Sequence, residues 1–158
     1  TKVVVGGKKR QDSVYNGFCE LSQKTEIVLV HDGVRPFLSH QMIQKSVDAA
    51  REYGAAITAI PVNDTIKRVD DSGLVSQTVD REGLWRVQTP QVFRYELLQE
   101  AFKKANSEKF YGTDEGTLIE HLGKPVKVVE GSEQNIKITR PEDLRLSEIF
   151  ISKTFPEN

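Results

Sequence analysis

The sequence has one cysteine, Cys19, and three widely separated histidines, His31, His40 and His121. A single cysteine excludes an internal disulfide framework and any zinc site built from several cysteines. The histidine spacing also excludes the H-E-x-x-H signature of zinc proteases. No Ser–His–Asp or Cys–His set can be assembled, so nucleophilic hydrolysis has no support in the sequence.

Long hydrophobic runs and an excess of one charge are also absent. The longest apolar stretches, Ile27–Val30 and Ala55–Val62, are far shorter than the roughly 20 residues that span a bilayer. The 22 basic and 23 acidic residues nearly cancel, which argues against nucleic-acid binding through a bulk basic surface. We therefore expect a cytoplasmic protein with no membrane partner and no nucleic-acid partner.

The chain of 158 residues alternates β-rich runs with helical periodicity. Val3–Val5 predicts a strand, and an amphipathic helix follows it. Ile27–Val30 and Ala55–Val62 predict two further strands, separated by a helix that Ser39 would cap. This alternation is typical of a mostly parallel α/β sheet, and we expect residues 1–158 to form a single domain.

A hairpin is predicted after the third strand. The β-rich runs 65–69 and 74–78 flank a turn of sequence Asp-Asp-Ser-Gly. Such a hairpin projects from an α/β domain, so we expect residues 62–88 to form an arm that contacts a partner. The run Thr89-Pro90-Gln91 is interpreted as a turn that opens the next helix.

Two more strands are predicted towards the end of the chain, at 126–129 and 135–139. The second leads into a helix that has Pro141 in its first turn. Thr139 and Glu142 have the spacing of a capping box at the start of that helix.

Candidate site residues follow from the position of ligands in open α/β sheets, beyond the carboxyl ends of the strands. Asp32 and Arg35 come directly after the strand Ile27–Val30, where they could serve a metal–phosphate complex or simply pair with each other. Lys137 precedes a helix N-terminus, where it could bind a phosphate or extend into solvent as an edge lysine.

Two further cationic segments are compatible with a phosphate-containing ligand. Gly6-Gly7 followed by basic residues could accept a nucleotide or be only a turn; it is not a P-loop, and no G-x-G-x-x-G is present. Arg81 follows the hairpin and by itself is typical of surface charge. Together, Arg35, Arg81, Lys137 and Asp32 suit nucleotidyl transfer, in which catalysis is mostly positioning and charge neutralisation.

One segment of the sequence resembles a known family. Residues 30–36, Val-His-Asp-Gly-Val-Arg-Pro, resemble the V-H-D-x-x-R-P motif of the bacterial 2-C-methyl-D-erythritol 4-phosphate cytidylyltransferases. The resemblance continues in order through residues 64–67, 78–85, 88–93, 113–115, 129–131 and 135–144. It implies a Rossmann-like nucleotidyltransferase fold, a homodimer clasped by the hairpin arm, and Mg²⁺ held mainly by the phosphates of CTP. The implied reaction joins CTP and the polyol phosphate, with release of pyrophosphate, in non-mevalonate isoprenoid synthesis.

The resemblance also assigns roles to particular residues. The implied catalytic residues are Arg81, Lys137 and Asp32, with Arg81 reaching the site of the partner subunit. The implied substrate contacts are Arg35, Thr65 and Thr89. The implied nucleotide-binding residues are Gly6, Gly7, Ser13 and Gly33. No metal ligand is assigned.

The start of the sequence departs from the family pattern. Family members open with a strand and a glycine-rich loop whose arginine and nearby lysine grip the triphosphate, whereas this sequence begins at Thr1 inside a strand-like run. We therefore expect preceding sequence to be missing and this chain alone to be catalytically inactive. Ribitol-5-phosphate cytidylyltransferase and a non-catalytic dimerisation fragment are the alternatives that the sequence leaves open.

Overall fold

The computed structural model describes residues 1–154. In chain order the elements are α1 (Arg10–Cys19), β1 (Ile27–Val30), α2 (His40–Tyr53), β2 (Ala55–Pro61), β3 (Ile66–Val69), β4 (Val75–Val79), β5 (Trp85–Arg94), α3 (Tyr95–Glu108), α4 (Glu115–His121), β6 (Lys127–Glu130) and α5 (Pro141–Thr154). None of the helices in this part of the chain is long and apolar enough to cross a membrane. The α/β fold class that the alternating pattern predicts is confirmed.

Four strands form the central sheet, in the order β1-β5-β2-β6. β2 and β6 are parallel, whereas β5 runs antiparallel to both of its neighbours. Three of the four strands therefore point the same way, and the sheet is mixed. Val30 at the end of β1 pairs with Gln91 of β5, so the chain that leaves β1 passes beside the middle of β5.

Helices cover both faces of this sheet, because successive side chains of a strand point to opposite faces. Ala55 and Phe93 belong to the larger core cluster, formed with α1, α3 and α4. Ala56 and Val92, their neighbours in sequence, join Ala50 of α2 in a smaller cluster on the other face. Burial of each large apolar side chain contributes about 1.5–3 kcal/mol.

The interpretation of Thr89-Pro90-Gln91 as a turn is wrong, because these residues are buried in the middle of β5. Proline has no N–H and is normally excluded from a central strand. Pro90 fits here because β1 pairs with β5 only from Gln91 onward, and because the pairing of β2 with β5 shifts register around Thr58. In the shifted stretch the hydroxyl of Thr58 donates to the carbonyl of Pro90 at 2.8 Å.

The strands predicted at residues 3–5 and 135–139 are also wrong. Neither segment has regular secondary structure, since neither pairs with a neighbouring strand within residues 1–154. Helix α5 does begin at Pro141. The carboxylate that accepts the N–H groups of residues 139 and 140, however, is Asp143 and not Glu142.

Within residues 1–154, the hairpin strands β3 and β4 pair only with each other and form a separate two-stranded sheet. At their turn the Asp70 carboxylate accepts the N–H groups of Ser72 and Leu74, each at 3.0 Å. Gly73 has a φ of 84°, which favours glycine at this position. Within the predicted arm 62–88, residues 85–88 form the first part of β5 in the central sheet.

Candidate active site

A cleft of about 260 Å³ opens where β1 ends beside β5. Four of the predicted site residues line it, namely Asp32, Arg35, Thr89 and Lys137. The cleft is completed by Arg10, Val87, Gln88, Gln91, Thr113 and Asp114. A larger groove of about 500 Å³ lies at the opposite end of β1 and contains none of the predicted site residues, so we assign the chemistry to the smaller cleft.

The carboxylate of Asp32 faces three cations. Its Oδ2 lies 3.1 Å from Nζ of Lys137 and 3.8 Å from Nε of Arg35. Its Oδ1 accepts two longer bonds from Arg10, both of 3.4 Å. Three separate segments of the chain therefore bring positive charge to one point, an arrangement that suits a phosphate ligand.

These contacts change the pKa of the groups involved. Burial by itself would raise the pKa of Asp32, but the hydrogen bond and charge of Lys137, together with Arg10, more than offset it and lower the pKa. Burial lowers the pKa of Arg35, and the charge of Asp32 opposes that change. Asp32 is therefore ionised at neutral pH and holds Lys137 by charge as well as by a hydrogen bond.

His31 and Thr89 fix the backbone beside this carboxylate. Nε2 of His31 lies 2.9 Å from the carbonyl of Arg35, which can only accept, so Nε2 carries a proton. In the neutral ring Nδ1 then accepts from the Thr89 hydroxyl at 3.0 Å, and the same oxygen accepts the N–H of Asp32 at 3.0 Å. Both ring nitrogens therefore have hydrogen-bond partners, and His31 stabilises the loop rather than acting as a general base.

Arg10 connects the cleft to α4. Its Nη1 donates to both carboxylate oxygens of Glu115 at 2.8 Å, and Glu115 is only 1% exposed. Burial raises the pKa of Glu115, and the charge and hydrogen bond of Arg10 offset part of that rise. Because Arg10 is the first residue of α1, the pair fixes the start of that helix, and the Gly6-Gly7 turn before it, relative to Asp32.

Gly6 and Gly7 in this turn lie against Ser13 of α1, and all three residues are outside the cleft. The N–H of Gly7 donates to Oγ of Ser13 at 2.9 Å. A Cβ on Gly7 would come within 2.2 Å of the Cβ of Asp12, so only glycine fits at this position.

Arg81, Thr65 and Gly33 also lie outside the cleft. Arg81 is exposed and donates to the carbonyl of Asn63 near the base of the hairpin. Thr65 is exposed just before β3, and Gly33 is exposed in the turn after Asp32. The structure of one chain therefore brings four of the ten predicted site residues together.

The sequence reasoning missed Arg10 and Glu115, and the amide of Gln91. Gln91 donates to Oδ2 of Asp114 at 2.8 Å and accepts the N–H of Gly116 at 3.0 Å, which holds α4 beside the cleft. The available signal was the Asp114–Glu115 pair, which at the start of a helix resembles an ordinary N-terminal cap. Asp114 is indeed the N-cap of α4, so this pair of acidic residues did not distinguish a helix cap from a contribution to the site.

We expect the Asp32→Asn substitution to destabilise the protein mainly at neutral pH, by about 1–2 kcal/mol. A carboxylate whose pKa is lowered in the folded state contributes stability above its unfolded pKa of about 3.9, and this contribution is lost as the pH falls through the folded-state pKa. Urea unfolding of wild type and Asp32→Asn should therefore show a difference in the free energy of unfolding that is largest near pH 7 and decreases below about pH 4. Asp48→Asn, at an exposed aspartate, is the control; a difference that does not vary with pH would contradict the prediction.

Comparisons with known proteins agree with the fold. The family model described as IspD, 2-C-methyl-D-erythritol 4-phosphate cytidylyltransferase, matches residues 1–153. The enzyme of that name from Syntrophus aciditrophicus is 51% identical over 151 residues, which are 96% of this chain and 64% of the relative. The crystal structure of the Thermus thermophilus enzyme of that name superposes with a TM-score of 0.84 at 39% identity, over 92% of this chain and 70% of that one. The structure of an Anaerococcus prevotii 4-diphosphocytidyl-2C-methyl-D-erythritol synthase gives the same TM-score at 37% identity, over 93% and 68%.

The fold is therefore that of an α/β nucleotidyltransferase. Within that class, the chain belongs to the 2-C-methyl-D-erythritol 4-phosphate cytidylyltransferase family. It spans somewhat less than two thirds of the length of the Syntrophus relative.

Proposed function

We propose that this chain provides the polyol-phosphate site of a cytidylyltransferase that joins CTP and 2-C-methyl-D-erythritol 4-phosphate. The products are 4-diphosphocytidyl-2-C-methyl-D-erythritol and pyrophosphate, in the non-mevalonate route to isoprenoids. The observation that carries the proposal is the group of three cations, Arg10, Arg35 and Lys137, around Asp32 at the end of β1. The names of the family and of its relatives supply the identity of the substrates.

The proposed reaction needs positioning more than acid–base chemistry. A phosphate oxygen of the polyol phosphate forms a bond to the α-phosphorus of CTP, and the bond from that phosphorus to the bridging oxygen of the β-phosphate breaks. The pyrophosphate leaves with the electron pair of the broken bond, and the attacking phosphate is already ionised at neutral pH. No side chain has to remove a proton, which agrees with a cleft that contains cations and no free histidine.

Each cleft residue has a defined part in this proposal. Lys137 and Arg35 bind the phosphate of the polyol and reduce its repulsion from the triphosphate. Asp32 keeps Lys137 in place, and Thr89 contacts the substrate from β5. Gly6 and Gly7, with Ser13 of α1 and with Gly33, hold the cytidine.

We further propose that Mg²⁺ enters with CTP, bound mainly to its phosphates. Within residues 1–154 no three His, Cys, Asp or Glu side chains are grouped as a ready-made metal site. Both oxygens of Asp32 already face cations. The described side chains thus do not fit a protein-held ion, and we derive no step through the metal.

The arm is proposed to clasp a second copy of the chain. Its strands β3 and β4 pair with no other strand in the part of the chain that the structure describes. The arm and the residues that follow it expose apolar side chains at Val69, Leu74, Val75, Leu84, Trp85 and Val87. Arg81 and Thr65 lie on this arm and outside the cleft of their own chain. We propose that both contact the substrate bound by the partner subunit, in a cytoplasmic homodimer.

Calorimetric titration of this chain with each substrate tests the proposal. We expect saturable binding of 2-C-methyl-D-erythritol 4-phosphate and of CTP with Mg²⁺, and weaker binding of ribitol 5-phosphate. Release of pyrophosphate is measured in the same samples, so that binding and turnover are assessed separately. Failure to bind the methylerythritol phosphate would contradict the proposed site, and preference for ribitol 5-phosphate would favour the other polyol.

A further inference from the structure

Asn135 lies two residues before Lys137 and is completely buried, although it belongs to an irregular segment. Its side-chain amide Nδ2 donates to the carbonyl of Thr89 at 2.8 Å and to Oε1 of Gln88 at 3.3 Å. Nδ2 also lies 3.6 Å from Sδ of Met42 in α2. Because all three partners are acceptors, the orientation of the amide is fixed, and Asn135 connects the segment to β5.

The main chain on both sides of Lys137 is also tied to the loop that carries Asp32. The carbonyl of Asn135 accepts from Nη1 of Arg35 at 2.6 Å. On the other side, the N–H of Ile138 donates to the carbonyl of Val34 at 2.8 Å. Lys137 thus lies between two attachment points, and the one at Asn135 is the one that a buried side chain reinforces.

The lysine itself has no comparable constraint. Its side chain is 43% exposed, and its contact with Asp32 at 3.1 Å is the ion pair that defines the cleft. A lysine side chain has considerable rotational freedom, and the position of its Cα sets the limit of what the ammonium can reach. Displacement of the segment by an ångström or more would break a hydrogen bond of this length.

We propose that Asn135 is a positioning residue: its buried amide fixes residues 135–138 against β5 and thereby holds the ammonium of Lys137 at the carboxylate of Asp32. The inference rests on the proposed function only in one respect, namely the part that the Lys137–Asp32 ion pair plays in catalysis. The placement of the pair itself is a property of the free protein and can be measured without any substrate.

Titration of the Asp32 carboxyl carbon by NMR, in wild type and in Asn135→Ala, tests the inference. In wild type the titration of Asp32 should lie below the ordinary aspartate pKa of about 3.9, because Lys137 favours the ionised form. In the variant the ammonium is released, and the Asp32 pKa should rise towards the ordinary value. Arg10 remains nearby and still favours the ionised form, whereas burial still favours the neutral form.

Phe102→Leu is the matched control for loss of stability. Phe102 is as completely buried as Asn135 but lies on α3, where it packs against Phe18 of α1 in the larger core cluster. It should lower the unfolding midpoint while leaving the Asp32 titration at its wild-type position. An unchanged Asp32 titration in a folded Asn135→Ala protein would overturn the inference, whatever the loss of stability.

Two further measurements apply if the alanine variant does not fold. Asn135→Ser keeps a polar group in the buried position but removes the amide, and it should change the Asp32 titration in the same direction. In wild type, the side-chain NH₂ protons of Asn135 should exchange slowly with water; exchange as fast as that of the exposed Asn106 would overturn the inference. A displaced Asp32 titration in a chain that binds neither CTP nor the polyol phosphate would support the positioning role and contradict the proposed function.

Discussion

Replacement of Lys137 by methionine should weaken binding of 2-C-methyl-D-erythritol 4-phosphate by about 10- to 100-fold, while the fold is retained. A hydrogen bond to a charged group contributes about 1.5–3 kcal/mol, and each 1.4 kcal/mol corresponds to about tenfold in affinity. Methionine keeps the length and the apolar stem of the side chain and removes the charge. The loss of affinity therefore measures the contribution of the ammonium group and not that of the packing of the segment.

The same substitution should raise the pKa of Asp32, because Lys137 is the main group that lowers it. Affinity is measured by calorimetric titration and the pKa by carboxyl NMR on the same sample. If both change together, the ammonium that pairs with Asp32 in the free chain also contacts the bound phosphate. A normal affinity with a raised Asp32 pKa would mean that Lys137 serves only the ion pair.

Lys124→Met is the matched control, since Lys124 is an exposed lysine in the loop before β6. It removes the same charge from the same protein, so any general effect of net charge on phosphate binding appears in both variants. Equal losses in the two variants would contradict a specific role for Lys137. Absence of binding in wild type would contradict the proposed function itself.

The sequence was informative where local pattern and topology agree. Asp32 and Arg35 were predicted because an apolar run that predicts a strand ends just before them, and ligands of open α/β sheets bind at such ends. The hairpin was predicted because its turn residues are typical of short connections, and β3 and β4 confirm it. These inferences need only one segment of the chain at a time.

Pro90 shows why β5 was missed. A proline next to a threonine is typical of a turn, and only the register of two neighbouring strands shows that no N–H is needed at this position. Register depends on residues distant in sequence, here Thr58 of β2 and Val30 of β1. The periodicity of hydrophobic residues in a single sequence contains no information about the register between strands.

Glu115 and Arg10 illustrate the same limit in the site. They are separated by 105 positions in sequence and meet only because α1 and α4 pack on the same face of the sheet. A buried carboxylate is costly unless it is paired, but its burial is known only once the fold is known. The contribution of Asn135 was missed for a related reason, because the alternation with Lys137 suggested a strand that the structure does not contain.

A substitution in the arm, residues 62–88, is expected to have a large effect on dimerisation. Val75→Asp should weaken dimerisation by more than about 100-fold, because an unpaired charge buried in an interface costs several kcal/mol. Val75 is 61% exposed in the isolated chain and lies at the start of β4, next to the exposed Leu74. Light scattering should give twice 17.8 kDa for wild type and 17.8 kDa for the variant.

Leu144→Asp is the control for this substitution, since Leu144 is 55% exposed on α5, away from the arm. It should remain dimeric. Wild type that is monomeric at all concentrations measured would contradict the proposed arm contact. A dimer that Leu144→Asp disrupts and Val75→Asp does not would place the interface on α5.

Mixing two defective chains distinguishes a shared site from a merely adjacent one. Arg81→Ala and Lys137→Met should each weaken binding of the polyol phosphate when present alone. If Arg81 serves the partner's cleft, the mixed dimer contains one cleft with an intact Lys137 from its own chain and an intact Arg81 from the other. Calorimetry of the mixture should then recover tight binding at a fraction of the sites. If Arg81 served its own cleft, every cleft in the mixture would lack one of the two cations and no tight binding would return.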